Sequence, residues 1–175
     1  MAVSARVRPP PTARQSSPQG PARPNTARRQ ATMGEEGSWD NTLEEWLLGE
    51  GFCCAAGLAQ LEDGAFYAAA PVADEAGWGM IFAEDHEKDI NQDDGSAKKC
   101  MINEAAGIRE CAEGGKPKNG LWIAGEKWNI TKQEELDVGD DTVKVTMGQG
   151  LVSKKKGVFI VCCKTQFLLA MYDEE

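Results

Sequence analysis

The 175-residue sequence has few of the residues on which enzyme sites are built. Its one histidine, His86, lies in an acidic stretch with no suitable partner near it in the sequence, so we interpret it as a solvated helix end rather than a catalytic base. The six cysteines form two adjacent pairs and two single residues, a spacing that matches no zinc site. No run of 18 apolar residues occurs, so no transmembrane segment is expected.

Loops that bind phosphate or calcium are also missing. Neither MGQG nor AGEK has the glycine spacing before lysine and serine or threonine that a phosphate loop needs. The stretch DINQDDGSAKK does not align its carboxylates with the ligand positions of a calcium loop, which leaves at most a weak cation site. We therefore predict no catalytic residue, no metal site and no cofactor.

Charge is divided unevenly along the chain. Residues 1–32 hold six arginines and no acidic residue, whereas residues 33–175 hold 13 basic and 28 acidic side chains, a net charge of −15. A domain this acidic is a poor candidate for binding nucleic acid through its phosphates, and basic surfaces are better suited as charged partners.

Residues 1–32 also hold six of the eight prolines and few apolar residues, which predicts a disordered basic extension. An upstream extension of the gene model or an organelle transit peptide would have the same composition. The stretch RPPPTARQ can also be a short polyproline II ligand. A start at Met33 would leave MGEEGS, which fits the loose myristoylation pattern.

The remaining sequence predicts an α+β domain built on an antiparallel sheet. A helix begins after the capping residue Ser38, and we expect Trp46 in the core and Trp39 partly exposed. Two strands rich in small residues flank the turn LEDG, which predicts a hairpin with a helix packed closely on it. A short helix near 78–85, an acidic loop and a helix near 104–113 capped by Asn103 follow.

From residue 119 onward the apolar period becomes two, as in strands. In DDTVKVTM we expect Val143, Val145 and Met147 to point inward and the residues between them, Thr146 included, to point outward. VFIVCC and QFLLAMY form the last two strands, which turn near Lys164 and are apolar on both faces. The cysteines lie mostly in such apolar runs, which is typical of small buried residues in a reduced cytosolic protein.

Three stretches resemble the profilin family: SWDNTLEEWLLGEGFCCAAGLAQLEDGAFYAAA, NGLWIAGEKWNI and FLLAMYDEE. The resemblance is closest to the apicomplexan-type (alveolate) profilins, which share the EDG turn, an acidic segment, INEA and a longer inserted hairpin. It runs from Ser38 to Glu175 and is weaker over 132–157. It implies a profilin-like domain over 33–175, in which helices flank both faces of a central antiparallel sheet.

The resemblance also implies a function without an active site. Profilins bind actin monomers, regulate actin polymerisation in the cytoplasm and bind proline-rich segments such as those of formins; phosphoinositides are a weaker partner. Carried over by position, the polyproline-binding residues are Trp39 with Phe66 or Tyr67, while Thr42 stands where many profilins have a second aromatic residue. The actin-binding residues carried over in the same way are Lys127, Lys154, Lys155 and Lys156.

Profilins continue after YDE into a long helix that lies beside the first helix, and this sequence does not contain it. We therefore expect under-packed apolar surface on one face of the last strand, either around Phe167, Leu169 and Met171 or at Leu168 and Ala170. Two alternatives to an actin-binding protein stay open. One is a proline-rich-motif adaptor with weak or no actin binding, and the other is a non-functional truncated fragment.

Overall fold

A computed structural model of the chain describes residues 38–91 and 96–174. The predicted extension 1–32 and the region around Met33 lie outside the described residues, as does the middle of the acidic stretch. The described helices are α1 (Trp39–Leu43), α2 (Ala76–Ile81) and α3 (Glu104–Ala112). The strands are β1 (Ala55–Gln60), β2 (Phe66–Ala70), β3 (His86–Asn91), β4 (Ala97–Ile102), β5 (Leu121–Ile123), β6 (Glu126–Val138), β7 (Asp141–Gly150), β8 (Lys156–Cys162) and β9 (Gln166–Asp173).

Seven strands form one antiparallel sheet in the order β2-β1-β9-β8-β7-β6-β5, and β3 and β4 form a separate hairpin. The last strand therefore lies near the middle of the sheet, between β1 and β8. This is the α+β architecture that the sequence predicts, with helices on both faces. Within the described range no helix follows β9.

The two faces of the sheet are covered differently. On the face that we call the helix-covered face, Phe167, Leu169 and Met171 of β9 are buried against the side chains of α2 and α3. On the opposite face, here the α1 face, Leu43 of α1 packs on β1 and β2. There Leu168, Ala170 and Tyr172 are only half-buried, so the under-packed surface expected next to the first helix lies on this side.

Helix α1 continues as a π-helical segment (Glu44–Leu48), and this changes which residues face the sheet. The N–H of Gly49 donates to the carbonyl of Glu44 at 2.7 Å, an i→i+5 bond. Because this wider winding advances less per residue than an α-helix, Leu47 and Leu48 both face the sheet. The prediction that Trp46 is a core residue is wrong, since its side chain is 66% exposed.

Small residues allow α2 to lie very close to the hairpin β1–β2. A Cβ added to Gly77 of α2 would lie 2.5 Å from the backbone of Ala70, so a side chain there would force the two elements apart. All the alanines within β1 and β2 are buried. The close packing of a helix onto these strands is confirmed.

The stretch after α2 differs from its prediction. The short helix ends at Ile81 instead of near residue 85, and the acidic segment contains the hairpin β3–β4 in place of a loop. His86 therefore lies at the start of a strand, and the interpretation as a solvated helix end is wrong. Periodicity failed here because charged residues occupy both faces of a hairpin that is largely solvent-exposed.

Strand β7 shows a second difference. Thr146 was expected to point outward, yet it is 1% exposed, because α3 packs on its side of the strand. Its hydroxyl donates to the carbonyl of Cys111 at 2.7 Å and accepts from the Gln133 amide at 3.1 Å. Val145, on the other face, is buried as expected.

The six cysteines are all free thiols, and only two of them are buried. Burial raises the pKa of Cys111 to about 12 and that of Cys53 to about 11, so neither is a thiolate at neutral pH. Cys54 and Cys163 are exposed, which corrects the expectation of generally buried cysteines. The apolar runs gave a wrong prediction because they extend past the ends of the strands, where Cys54 and Cys163 lie and side chains are exposed.

Candidate functional site

An aromatic groove lies at one edge of the sheet, where α1 begins. Trp39 is the first residue of α1 and is 53% exposed, and Tyr67 on β2 faces the same space. The groove has a volume of about 790 Å³. Its walls are formed by Trp39, Gln60, Leu61, Glu62, Tyr67, Arg109, Glu113, Lys164, Thr165 and Gln166.

Helix α1 and the π-helical segment after it are fixed to strand β2 and the residues that follow it by two carboxylates that accept backbone hydrogen bonds. The side chain of Asp40 accepts from the N–H of Ala69 at 2.8 Å, and the side chain of Glu44 accepts from the N–H of Val72 at 2.6 Å. Since β2 is an edge strand, its outward N–H groups need such partners. The same bonds hold the start of α1 against β2, so that Trp39 and Tyr67 line one groove.

Tyr67 is held with its hydroxyl in a defined position. It donates to the side-chain oxygen of Gln166 at 2.7 Å, and burial raises its pKa above the usual value. By contrast, no atom of residues 38–91 and 96–174 accepts a hydrogen bond from the indole N–H of Trp39. The groove thus combines one fixed aromatic ring with one exposed indole that still has a donor to offer.

Phe66 does not belong to this groove. Successive side chains of a strand point to opposite faces, so Phe66 lies on the helix-covered face. Its ring packs against Phe82 and Phe167, with centroids 6.1 and 5.7 Å away. Of the two aromatic residues of β2 that the resemblance suggested, only Tyr67 lines the groove with Trp39; Thr42 does not line it either.

Charges at the far wall of the groove are mostly paired. The Arg109 guanidinium donates to the carbonyl of Glu62 at 2.9 Å and lies 3.9 Å from the carboxylate of Glu113. Lys164 forms an ion pair with Asp141. The carboxylate of Glu62 has no ion-pair partner in the described ranges, although the wall as a whole carries two acidic and two basic side chains.

The lysines proposed for actin lie elsewhere on the molecule. Lys154 and Lys155 are exposed in the turn between β7 and β8, and Lys156 begins β8. The N–H of Leu151, in the same connection, donates to the carbonyl of Lys127 at 3.4 Å, so β6 runs beside this turn. Four strands separate β6 from β2 in the sheet, so Lys127 lies on the order of 24 Å across the sheet from Tyr67.

A buried carboxylate that the sequence patterns did not reveal joins three segments. Glu104, the first residue of α3, accepts from the backbone N–H groups of Ala83, Ala124 and Gly125 at 2.7 to 2.9 Å. Its carboxylate is 4.0 Å from His86 Nε2, and the His86 ring contacts that of Trp122 edge-on. The signal was the INEA stretch, in which an acid at the first helical position looks like an ordinary helix start.

The cluster around Glu104 brings together two titratable side chains. It contains one imidazole and one carboxylate, and all three hydrogen bonds to the carboxylate are structural. Across residues 38–91 and 96–174 no group of three potential metal ligands occurs. In the same ranges, no helix has the length and apolarity to cross a membrane.

The profilin family model matches residues 37–175 of the chain. Profilin of Plasmodium berghei is 30% identical over 148 residues, which cover 81% of this chain and 83% of the relative. Profilin of Plasmodium falciparum is 30% identical over 155 residues, covering 82% of this chain and 86% of the relative.

The chain belongs to the profilin family. Its similarity to the Plasmodium proteins agrees with the apicomplexan-type resemblance in the sequence. Among solved structures, Acanthamoeba castellanii profilin IA aligns with a TM-score of 0.39 at 18% identity, covering 78% of this chain and 82% of that one. Profilins are non-enzymatic actin-binding proteins of the cytoskeleton, and membership supports a general role in regulating actin polymerisation.

Proposed function

We propose that this profilin binds actin monomers and, through the groove between Trp39 and Tyr67, a proline-rich segment. The observation that carries the second part is the pairing of an exposed indole with a fixed tyrosine ring. Polyproline II segments dock on grooves lined by aromatic side chains, because the preformed helix loses little entropy on binding. The indole N–H of Trp39 is suited to donate to a carbonyl of such a segment.

For actin we propose the surface around Lys127 and the lysines of the β7–β8 turn, Lys154, Lys155 and Lys156. The three lysines of the turn are consecutive, and β6 with Lys127 runs beside this turn, on a domain whose net charge is strongly negative. Since the two proposed sites are far apart, the protein can hold an actin monomer and a proline-rich protein such as a formin together. Phosphoinositides are a weaker candidate ligand for the same lysines, and we propose the cytoplasm as the location.

Peptide binding tests the groove directly. A ten-residue polyproline peptide titrated by calorimetry should bind the full chain, and Trp39→Ala should weaken it about tenfold or more. Trp46→Ala is the matched control, because Trp46 is exposed on the same helix but lies outside the groove. Equal affinities in the wild type and Trp39→Ala would reject the groove.

Actin polymerisation tests the other site. Excess protein should slow the polymerisation of micromolar actin, and Lys154→Glu/Lys155→Glu should relieve this inhibition. The control is Lys132→Glu/Lys144→Glu, which changes two lysines farther along β6 and β7 from the turn. An unchanged polymerisation rate with excess wild-type protein rejects the actin function, and peptide binding alone would then favour the adaptor.

A further inference from the structure

The chain contains a proline-rich segment of its own, and the described fold begins at the wall of the aromatic groove. Arg8 and the prolines Pro9, Pro10 and Pro11 precede the fold by a stretch of 26 residues, 12–37. Ser38, the first described residue, caps the helix whose first residue is Trp39. The segment is therefore attached directly beside the site that we assign to proline-rich ligands.

We propose that residues 8–14, RPPPTAR, bind in cis to the groove of Trp39 and Tyr67 and compete with proline-rich segments of other proteins. This inference rests on the proposed proline-binding function of the groove. It makes that site self-regulated, because an external ligand has to displace a ligand that the chain carries itself.

Chain length permits the contact. An extended chain spans at most about 3.3 to 3.6 Å per residue, so 26 residues reach up to roughly 90 Å. This is more than the distance needed to return to a groove that begins one residue after the attachment point. Tethering also raises the effective concentration of a ligand to about the millimolar range when the linker can span the sites, so even a weak motif competes.

Charge favours the same pairing. Residues 1–32 carry six arginines and no acidic residue, and arginines stand on both sides of the proline run, at Arg8 and Arg14. A polyproline II helix has three residues per turn, so in that bound form residues 8, 11 and 14 would share one side of the helix. The groove wall carries two acidic side chains, Glu62 and Glu113, and two basic ones, Arg109 and Lys164, so its own charge is balanced, whereas the domain over 33–175 has a net charge of −15. The overall charges of the segment and of the domain are therefore opposite, which favours the return of the segment to the domain.

The test compares the full chain with Pro9→Ala/Pro10→Ala/Pro11→Ala, a change outside the described residues. The matched control is Pro18→Ala/Pro21→Ala/Pro24→Ala, which removes three prolines of the same segment without touching the consecutive run. Calorimetric titration with a ten-residue polyproline peptide should give a dissociation constant about threefold or more lower for the first variant. The control variant should match the wild type.

The possible results distinguish failure of the cis contact from failure of proline binding by the groove. Equal affinity of the peptide for the wild type and both variants overturns the cis contact and leaves the groove function intact. Absence of binding to every form overturns both. Sedimentation should show the same monomer at all concentrations; dimers that disappear in Pro9→Ala/Pro10→Ala/Pro11→Ala would mean that the segment binds a second copy, which also overturns the cis contact.

Discussion

The two faces of the seven-stranded sheet are nearly equally apolar but unequally covered. On β8 and β9, the side chains directed to α2 and α3 are almost fully buried, whereas their neighbours on the α1 face are half-exposed. Phe167 and Phe159 illustrate the difference, at 0% and 36% exposure. On the α1 face the ring of Phe159 has Tyr172 beside it, with centroids 5.6 Å apart.

We infer from this difference that the stability of the fold comes mainly from one side of the sheet. The helix-covered face combines apolar packing with buried polar anchors, namely Glu104 and Thr146. Among residues 38–91 and 96–174, the α1 face is covered by one short helix, which lies on β1 and β2 and leaves β8 largely open. Substitutions of one residue type on the two faces should therefore have different costs.

Phenylalanine truncation should give the largest contrast. Phe167→Ala removes a fully buried ring and should lower the free energy of unfolding by about 3–5 kcal/mol. Phe159→Ala should cost about 1 kcal/mol, because part of its ring already faces water. Urea unfolding with unchanged m-values measures both, and equal losses would show that the two faces contribute alike.

The sequence predicted this contrast in outline but not its polar part. Alternation in QFLLAMYDEE places successive residues on opposite faces, and strands that are apolar on both sides need cover on both sides. The helices predicted before and between the strands then supply the cover for the two faces of the sheet. The hairpin β3–β4 was missed, because exposed charged strands carry no apolar period.

The groove was predictable only in part, for a related reason. The resemblance implies that Trp39 binds a proline-rich ligand. Whether Phe66 or Tyr67 lines the same groove depends on which face of β2 each residue occupies. Five consecutive residues of that strand, FYAAA, show no alternation of polar and apolar residues that would decide this. Likewise, the role of Glu104 depends on backbone N–H groups that are distant in sequence, which local patterns cannot show.

Glu104 should be the most costly polar residue to change on the helix-covered face. Glu104→Ala leaves the N–H groups of Ala83, Ala124 and Gly125 without their acceptor and should destabilise the fold by about 2–4 kcal/mol. Glu110→Ala, at an exposed position of the same helix, is the control and should change stability by less than about 0.5 kcal/mol. Thermal unfolding of the three proteins compares them, and a loss below about 1 kcal/mol would mean that water replaces the carboxylate.

Thr146 provides a smaller polar test. Thr146→Val keeps the shape but removes the hydroxyl that donates to Cys111, so we expect a loss of about 1–2 kcal/mol. Thr142→Val on the same strand should be nearly neutral, because Thr142 is exposed and its partner Asp137 can bond to water. Chemical denaturation of both variants measures the difference. If they behave alike, the hydrogen bond to α3 contributes nothing to the unequal stability of the two faces.

The smallest effect is expected on α1 itself, where the π-helical winding decides which residues matter. Trp46→Ala should change the free energy of unfolding by less than about 0.5 kcal/mol despite the size of the side chain, because the wider turn directs it into solvent. Leu43→Ala, in contrast, should cost about 2–4 kcal/mol, since Leu43 is the buried anchor of α1 on β1 and β2. Urea unfolding again provides the measurement. A large loss for Trp46→Ala would mean that the helix winds regularly in solution and that Trp46 covers part of the α1 face, which would reduce the contrast between the two faces.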